Sequence, residues 1–221
     1  MTGRDGGAEL APSEGSPVVV LVRPQLADNI GSVARAMANG GLFHLRLVAP
    51  RDGWPQERAW RMASGADRIL DKAAVYGDVA DAVSDLHHVF ATCPRPRHIV
   101  KPVLTARGGA AELRAIAARG LRAGVLFGPE RAGLDNDDMA CADALIRYPL
   151  NPRFMSLNLA QAAMILAYEW WMAEDGTPPA ALMTNETRVA TKRELENFLA
   201  HVVAELDACG FLRNLPKRPG M

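Results

Sequence analysis

Hydrophobic positions fall into short unbroken runs separated by longer stretches with a helical beat. The first run, Val18 to Val22 ahead of Pro24, is apolar and mostly β-branched, as a strand buried on both faces of a parallel sheet requires. In the following QLADNIGSVARAMANGG, Ile30, Val33, Ala34 and Met37 recur at helical spacing. Asp28 or Asn29 is available as its cap, and Gly40 and Gly41 stop it. LRLVAP over 45–50 supplies a second strand and closes a βαβ unit. Pro55 suits a helix first turn, 68–70 a short strand and 77–86 a short helix. The run over 87–94 is a further strand. A helix over 108–119, a strand over 124–127 and a last strand over 144–148 continue the alternation. Then PLNPRFMSLNLAQAA at 149–163 begins as a turn at Pro149 and Pro152. With Ser156 and Asn158 at the junction, it becomes a helix running to about Glu174, in which Leu157, Leu159, Ala160, Ala163 and Met164 are available to pack. Tyr168, Trp170 and Trp171 suit a core or a subunit interface.

This alternation predicts an α/β fold over 18–174, a mostly parallel sheet flanked by helices. Residues 1–17 are polar and rich in Gly, Pro and Ser, a flexible leader without the apolar core of a signal peptide. DGTPPAALMTNET is a linker by composition. TKRE at 191–194 has capping-box spacing, ahead of a helix whose Leu195, Phe198, Leu199, Val202, Val203 and Leu206 form one apolar face. Residues 175–221 are therefore expected to be a linker and C-terminal helical extension.

Composition narrows the class. At 221 residues and 49% hydrophobic content, the chain suits one α/β domain with an appendage. No run approaches the roughly 18 apolar residues of a membrane span, so a soluble protein is expected. Cys93, Cys141 and Cys209 form no disulfide or zinc spacing and suit a reducing cytoplasm. Lys+Arg and Asp+Glu both number 25, a balance that does not decide nucleic-acid binding, because local fields do. Lysine occurs only at 72, 101, 192 and 217, so the basic chemistry is arginine's, suited to bidentate phosphate contact. The loop PRPRHIVKP gathers Arg95, Arg97, His98 and Lys101 into one basic segment with a candidate phosphate role.

Several chemistries are excluded. There is no G-x-G-x-x-G after a strand and no Walker sequence, so neither a nicotinamide nor a P-loop nucleotide is indicated. No His or Cys pair has metal-ligand spacing, and no histidine sits in a hydrolase triad context. What remains is the loop Gly128–Asp138, where Gly128, Pro129 and Gly133 allow sharp bends after a strand, the place where open α/β sheets bind ligands.

Asn29-x5-Arg35, FGPERAGL at 127–134 and NPRFMSLNLAQA at 151–162 resemble, in order and spacing, the three signature motifs of the SpoU (TrmH-like) branch of the SPOUT methyltransferases. The N-P-x-x-x-S-L-N-L-A form and the trailing AYEW at 167–170 are similar to the TrmJ-type tRNA ribose methyltransferases. The resemblance covers 18–172 and, more weakly, the chain to Phe211. It implies a SPOUT fold with a C-terminal trefoil knot and a homodimer with the cofactor pocket near the subunit interface, and the missing ligand spacing gives no indication of a metal. The implied reaction moves a methyl group from S-adenosylmethionine to a ribose 2′-hydroxyl of tRNA, on an anticodon-loop cytidine or uridine. An rRNA substrate, or a non-catalytic RNA-binding module on the same scaffold, are the alternatives.

Matched motif by motif, the resemblance assigns cofactor binding to Thr92, Cys93 and Pro94, to Gly128, and to Tyr148, Met155, Ser156 and Leu157. Arg35 is the group to which the family's deprotonation of the 2′-hydroxyl is credited. A guanidinium rarely deprotonates, so base and positioner both stay open for it. Asn29, Glu130, Ser156 and Asn158 are expected to hold Arg35, the loop and the ribose. Two departures stand out. Met155-Ser156 replaces the frequent pair of serines, and Cys93-Pro94 replaces small polar residues in the first cofactor loop.

Overall fold

The computed structural model describes residues 15–94, 100–180 and 187–213. Its strands are β1 (Val18–Val22), β2 (His44–Val48), β3 (Ala74–Tyr76), β4 (His88–Thr92), β5 (Val103–Thr105), β6 (Ala123–Phe127) and β7 (Ala144–Arg147). Its helices are α1 (Ala27–Asn39), α2 (Glu57–Ala63), α3 (Asp67–Asp71), α4 (Val79–Val83), α5 (Ala106–Ala118), α6 (Asn136–Ala140), α7 (Leu159–Met172) and α8 (Lys192–Ala208). The chain divides into two compact units, 1–176 and 177–221.

In the first unit all seven strands form one sheet in the order β3-β2-β1-β6-β4-β7-β5, and every neighbouring pair is parallel. The central strands β1 and β6 are buried along their whole length, which explains why they read as unbroken apolar runs rather than alternating ones. Alternate residues serve two cores. Val19, Leu21, Val125 and Phe127 face Ile30, Val33, Met37, Leu113, Leu166 and Trp170 of α1, α5 and α7. Val18, Val20, Val22 and Leu126 face Val79, Ala82 and Met139 of α4 and α6. Helices α1 and α2 approach closely at Gly31, where a Cβ would sit 2.8 Å from the Ala59 carbonyl carbon and closer still to its oxygen.

The structure departs from the sequence reading at several places. Residues 68–70 belong to helix α3, because Ile69 and Leu70 are adjacent and both buried, which the alternation of a half-buried strand does not allow. The short strands β3 and β5 and helix α6 have no periodicity long enough to signal them. Pro55 lies ahead of α2, whose N-cap is Gln56. Helix α1 starts at Ala27 with Leu26 as N-cap, so neither Asp28 nor Asn29 caps it. On α7, Trp170 is buried, whereas Met164, Tyr168 and Trp171 are exposed.

Lys101 is turned to a structural task. Its ammonium donates to the carbonyls of Met139 (2.9 Å), Ala140 (2.8 Å) and Ala142, the end of α6, rather than standing free for phosphate. The other basic members of that loop, Arg95, Arg97 and His98, lie outside the described residues, as do 1–14 of the leader and 214–221 of the tail.

In the second unit, α8 starts at a capping box of Thr191 and Glu194, and none of its residues is buried. Leu195, Phe198, Leu199 and Val203 of its apolar face are exposed. Among the described residues no helix is long and apolar enough to cross a membrane, and no group of His, Cys, Asp and Glu is arranged to hold a metal ion.

Candidate active site

The C-terminal ends of β4, β6 and β7 surround a cavity of about 810 Å³. It is lined by Thr92–Pro94 after β4, Phe127–Gly133 after β6, and residues of the segment from Tyr148 to Leu157 after β7, with Leu159 and Ala162 of α7 closing it. Sheets of this kind bind ligands in the crevice beyond the carboxyl ends of their strands.

Tight local bonding holds each loop. A Cβ at Gly128 would sit 2.5 Å from the Gly133 carbonyl carbon and closer still to the Leu134 nitrogen, so the turn closes only on glycine. Gly133 itself has φ +67°, the left-handed region. The Thr92 hydroxyl donates to the Leu126 carbonyl at 3.0 Å and the Cys93 N–H to the Ile146 carbonyl at 3.0 Å, pinning the first loop between β6 and β7. Asn151 closes the turn after β7. Its carbonyl accepts from the Phe154 N–H (2.9 Å) and its Oδ1 from the Arg153 N–H (3.0 Å). The Tyr148 phenol donates to the Ala162 carbonyl at 2.9 Å, and burial pushes its pKa up, so it remains a protonated donor.

A chain of polar side chains joins three distant segments at this cavity. The Glu130 carboxylate accepts from the N–H groups of Gln25 (2.8 Å) and Leu26 (3.2 Å), at the positive end of α1, and from Asn29 Nδ2 (2.8 Å). Because a carboxylate only accepts, the Asn29 amide must turn its nitrogen to Glu130 and its oxygen away. That oxygen accepts from Asn158 Nδ2 at 2.9 Å. Asn158 in turn caps α7: its Oδ1 accepts from the Ala160 N–H (2.8 Å), while its own N–H donates to Gln161 Oε1 (3.0 Å). Asn29 is buried, so its satisfied amide locks α1, the β6 loop and the start of α7 into one register.

A second clamp braces the same loop. Arg23, directly after β1 and at φ 47°, donates to both carboxylate oxygens of buried Asp138, at 3.1 Å to Oδ1, and to Asp135 Oδ2 at 2.9 Å. Asp135 and Asp138 form the capping box of α6. The Asp138 N–H and then Arg23 hold the Asp135 carboxyl below its usual range.

Thr92, Cys93, Pro94, Gly128, Tyr148, Met155, Ser156 and Leu157 all line the one cavity, and Glu130 lines it too. Asn29 and Asn158 lie behind Glu130 and do not line it. Arg35 is on α1, exposed and outside the lining, and its guanidinium has no hydrogen-bond or ion-pair partner among the described residues. Sequence reasoning missed Arg131, Arg153 and Phe154, which also line the cavity and stood inside the motifs without being singled out. Nothing in the local sequence could have paired Arg23 with Asp138, 115 positions apart.

A parallel α/β body with glycine- and proline-built loops beyond β4, β6 and β7, tied together through Asn29, Glu130 and Asn158, is the frame of an RNA methylase. The chain belongs to the SpoU rRNA methylase family, whose model matches residues 16–168. It is 38% identical over 211 residues to the tRNA (cytidine/uridine/adenosine-2′-O-)-methyltransferase TrmJ of Pseudomonas aeruginosa, covering 91% of this chain and 80% of that protein. The crystal structure of TrmJ from Z. mobilis ZM4 superposes with a TM-score of 0.74 at 47% identity, covering 91% of this chain and 84% of that one. A probable methyltransferase from Bordetella pertussis Tohama I matches with a TM-score of 0.67 at 32% identity, covering 74% of this chain and 99% of that one.

Proposed function

We propose that this chain is an RNA 2′-O-methyltransferase that takes its methyl group from S-adenosylmethionine and places it on a ribose of tRNA, at an anticodon-loop cytidine or uridine. The observation that carries the reading is the Glu130–Asn29–Asn158 chain, which gathers all three motifs at one cavity. The tRNA specificity is supported by the TrmJ relatives, named as tRNA cytidine/uridine 2′-O-methyltransferases.

The lining suits S-adenosylmethionine. Phe127, Leu150, Leu157 and Leu159 offer apolar walls for an adenosine, and the bends at Gly128 and Pro94 bring backbone donors and acceptors to its polar edges. When bound, the cofactor supplies an electrophilic methyl group on a sulfonium. Thr92, Cys93, Pro94, Gly128, Tyr148, Met155, Ser156 and Leu157 would hold it, while Asn29, Glu130 and Asn158 would keep the loops fixed around the ribose. Methyl transfer to an oxygen would depend on placement, and the loops fixed through Asn29, Glu130 and Asn158 would supply it.

Arg35 orients the RNA beside the 2′-hydroxyl. It lies outside the cavity of its own chain, which supports delivery by a second copy. The homodimer forms through the exposed stripe of α7, where Met164, Tyr168 and Trp171 follow helical spacing. The chain works in the cytoplasm, where its substrate is. A C-terminal trefoil knot is supported by the interleaved strands, with β7 between β4 and β5 and with β6 between β1 and β4.

Labelled methyl transfer from S-adenosylmethionine to tRNA, to rRNA and to a protein control tests the reading, with wild type beside Arg35→Ala and nuclease digestion to locate the label. Label on a tRNA ribose, lowered about a hundredfold or more by Arg35→Ala, is expected. Label in rRNA alone replaces the substrate. Absence of transfer to either RNA, with cofactor still bound, replaces the enzyme with a binding module.

A further inference from the structure

A second cavity, of about 220 Å³, lies at the opposite edge of the sheet. Its place follows from the register: Val18 and His44, the first residues of β1 and β2, are partners, and both line it together with Ala74, which opens β3. Arg122, immediately ahead of β6, closes it. Strand β6 thus separates Arg122 at this cavity from Gly128 at the other by its full length.

The lining holds the cationic side chains of Arg46, Arg68, Lys72 and Arg122 and no carboxylate. Arg46 is buried yet charged, and it is fixed. It makes a bidentate pair with Asp85 (2.5 and 2.8 Å), donates to the Ala82 carbonyl (2.6 Å) and stands 5.6 Å over the Tyr76 ring. Arg122 pairs with the same Asp85 at 2.7 Å. Its backbone is pinned as well, the N–H donating to His87 Nδ1 at 3.1 Å and the carbonyl accepting from the His87 N–H at 2.9 Å. One carboxylate therefore serves two guanidinium groups. The Lys72 ammonium has no hydrogen-bond or ion-pair partner among the described residues. Arg68 has a contact of its own within the chain. On the helix that carries Arg68, Asp71 accepts from the Trp60 indole at 2.9 Å. His44 records the resulting field: burial first, then Arg122, Arg46 and Lys72, push its pKa down.

Excess positive charge in a concave site recruits an anion, and here Arg46 and Arg122 are already held in place while the Lys72 ammonium is left to meet it. The Arg46 fork is taken by Asp85, so direct contact with phosphate oxygens falls to Lys72 and to the part of the Arg122 guanidinium beyond its own pair with Asp85, and Phe43 offers a ring to whatever the phosphate carries. We propose that this cavity binds a phosphate group. Two sources present that chemistry: a backbone phosphate of the substrate RNA, which rests on the function proposed above, and a free phosphate monoester, which does not.

The test titrates the full chain with inorganic phosphate at constant ionic strength, following the His44 imidazole by NMR. A saturable shift is expected, with the His44 pKa rising as bound phosphate offsets its three cationic neighbours. Lys72→Glu should weaken that binding about tenfold or more, and Lys72→Ala should weaken it less. Both should leave the unfolding midpoint and S-adenosylmethionine binding at the far edge unchanged. A shift that does not saturate, or that is the same in wild type and both variants, overturns the proposal. The second arm measures tRNA affinity against salt. A weaker affinity with a shallower salt slope in Lys72→Glu assigns the site to an RNA phosphate. Unchanged tRNA affinity beside lost inorganic phosphate assigns it to a free monoester. Should methyl transfer to RNA fail in wild type while the phosphate shift persists, the proposed function falls and this site stands.

Discussion

Helices α1 and α8 have comparable lengths, 13 and 17 residues, and both carry an apolar face, but they are held at their starts in opposite ways. Helix α8 carries its own cap: the Thr191 hydroxyl accepts from the Glu194 N–H, and the Glu194 carboxylate returns to the Thr191 N–H at 2.8 Å. Helix α1 has no side-chain cap of its own, and Leu26 at that position offers no acceptor. Its entry is held instead by Glu130, more than a hundred positions away. A cap written into four consecutive residues makes a helix. An anchor brought from another loop makes a helix and a site together, because the group that holds the backbone also orders Asn29 and the cavity wall. The same contrast runs through burial: α1 buries Asn29, Ile30, Val33, Ala34 and Met37, whereas α8 buries nothing.

Gly31→Ala should strike this contrast hardest. The new Cβ meets the Ala59 backbone, which no rotamer can relieve, so α1 and α2 must separate. A loss of about 3 kcal/mol in denaturant unfolding is expected, and stability within 0.5 kcal/mol of wild type would show that α1 is less tightly placed than described. Glu130→Ala comes next. It takes the acceptor from the part-buried Gln25 N–H and the buried Asn29 amide at a cost of about 2–3 kcal/mol, and methyl transfer should fall about a hundredfold as the loops lose register. A variant that keeps full transfer would break the link between anchor and site.

Thr191→Ala should cost about 1 kcal/mol, confined to α8 and read as faster amide exchange over 192–208, with residues 18–172 unaffected. The smallest effect is on acidification. Arg188 first, and then Thr191, hold the Glu194 carboxyl down at about 2. A carboxylate with a depressed folded pKa stabilises above its unfolded value and loses that contribution as protons bind, so the start of α8 should stay ordered above about pH 4.5 and fray as pH falls toward 2. An NMR titration of Glu194 with its midpoint near the ordinary value would show that the cap is open in solution.

Much of the fold was legible because it rests on patterns local to a few residues. The short apolar runs at 18–22 and 124–127 read as strands, and the cap of α7 is Asn158, one of the two polar residues, with Ser156, that stand ahead of the helical beat. Residues 68–70 were misread because three residues carry too little period to separate a strand from a helical turn, and the burial of adjacent Ile69 and Leu70 is settled only by packing. Lys101 was legible as a charge but not as a partner. Whether an ammonium meets phosphate or three carbonyls depends on where the end of α6 lies. Eight of the residues that line the large cavity and Glu130 were found through their motifs and Arg131, Arg153 and Phe154 were not, while Arg23 with Asp138, and the cationic cavity at the far edge, had no linear signature at all.

By itself, then, the sequence determined the alternating α/β order, the helix and strand cores, and the identity of the motif residues, because these depend on periodicity and on the chemistry of neighbouring side chains. The tertiary structure alone decided that Glu130 anchors α1, that Asn29 bridges it to Asn158, and that Arg35 stands outside its own chain's cavity. Hydrogen bonds between residues a hundred positions apart depend on strand order, and strand order is set by how the whole core packs.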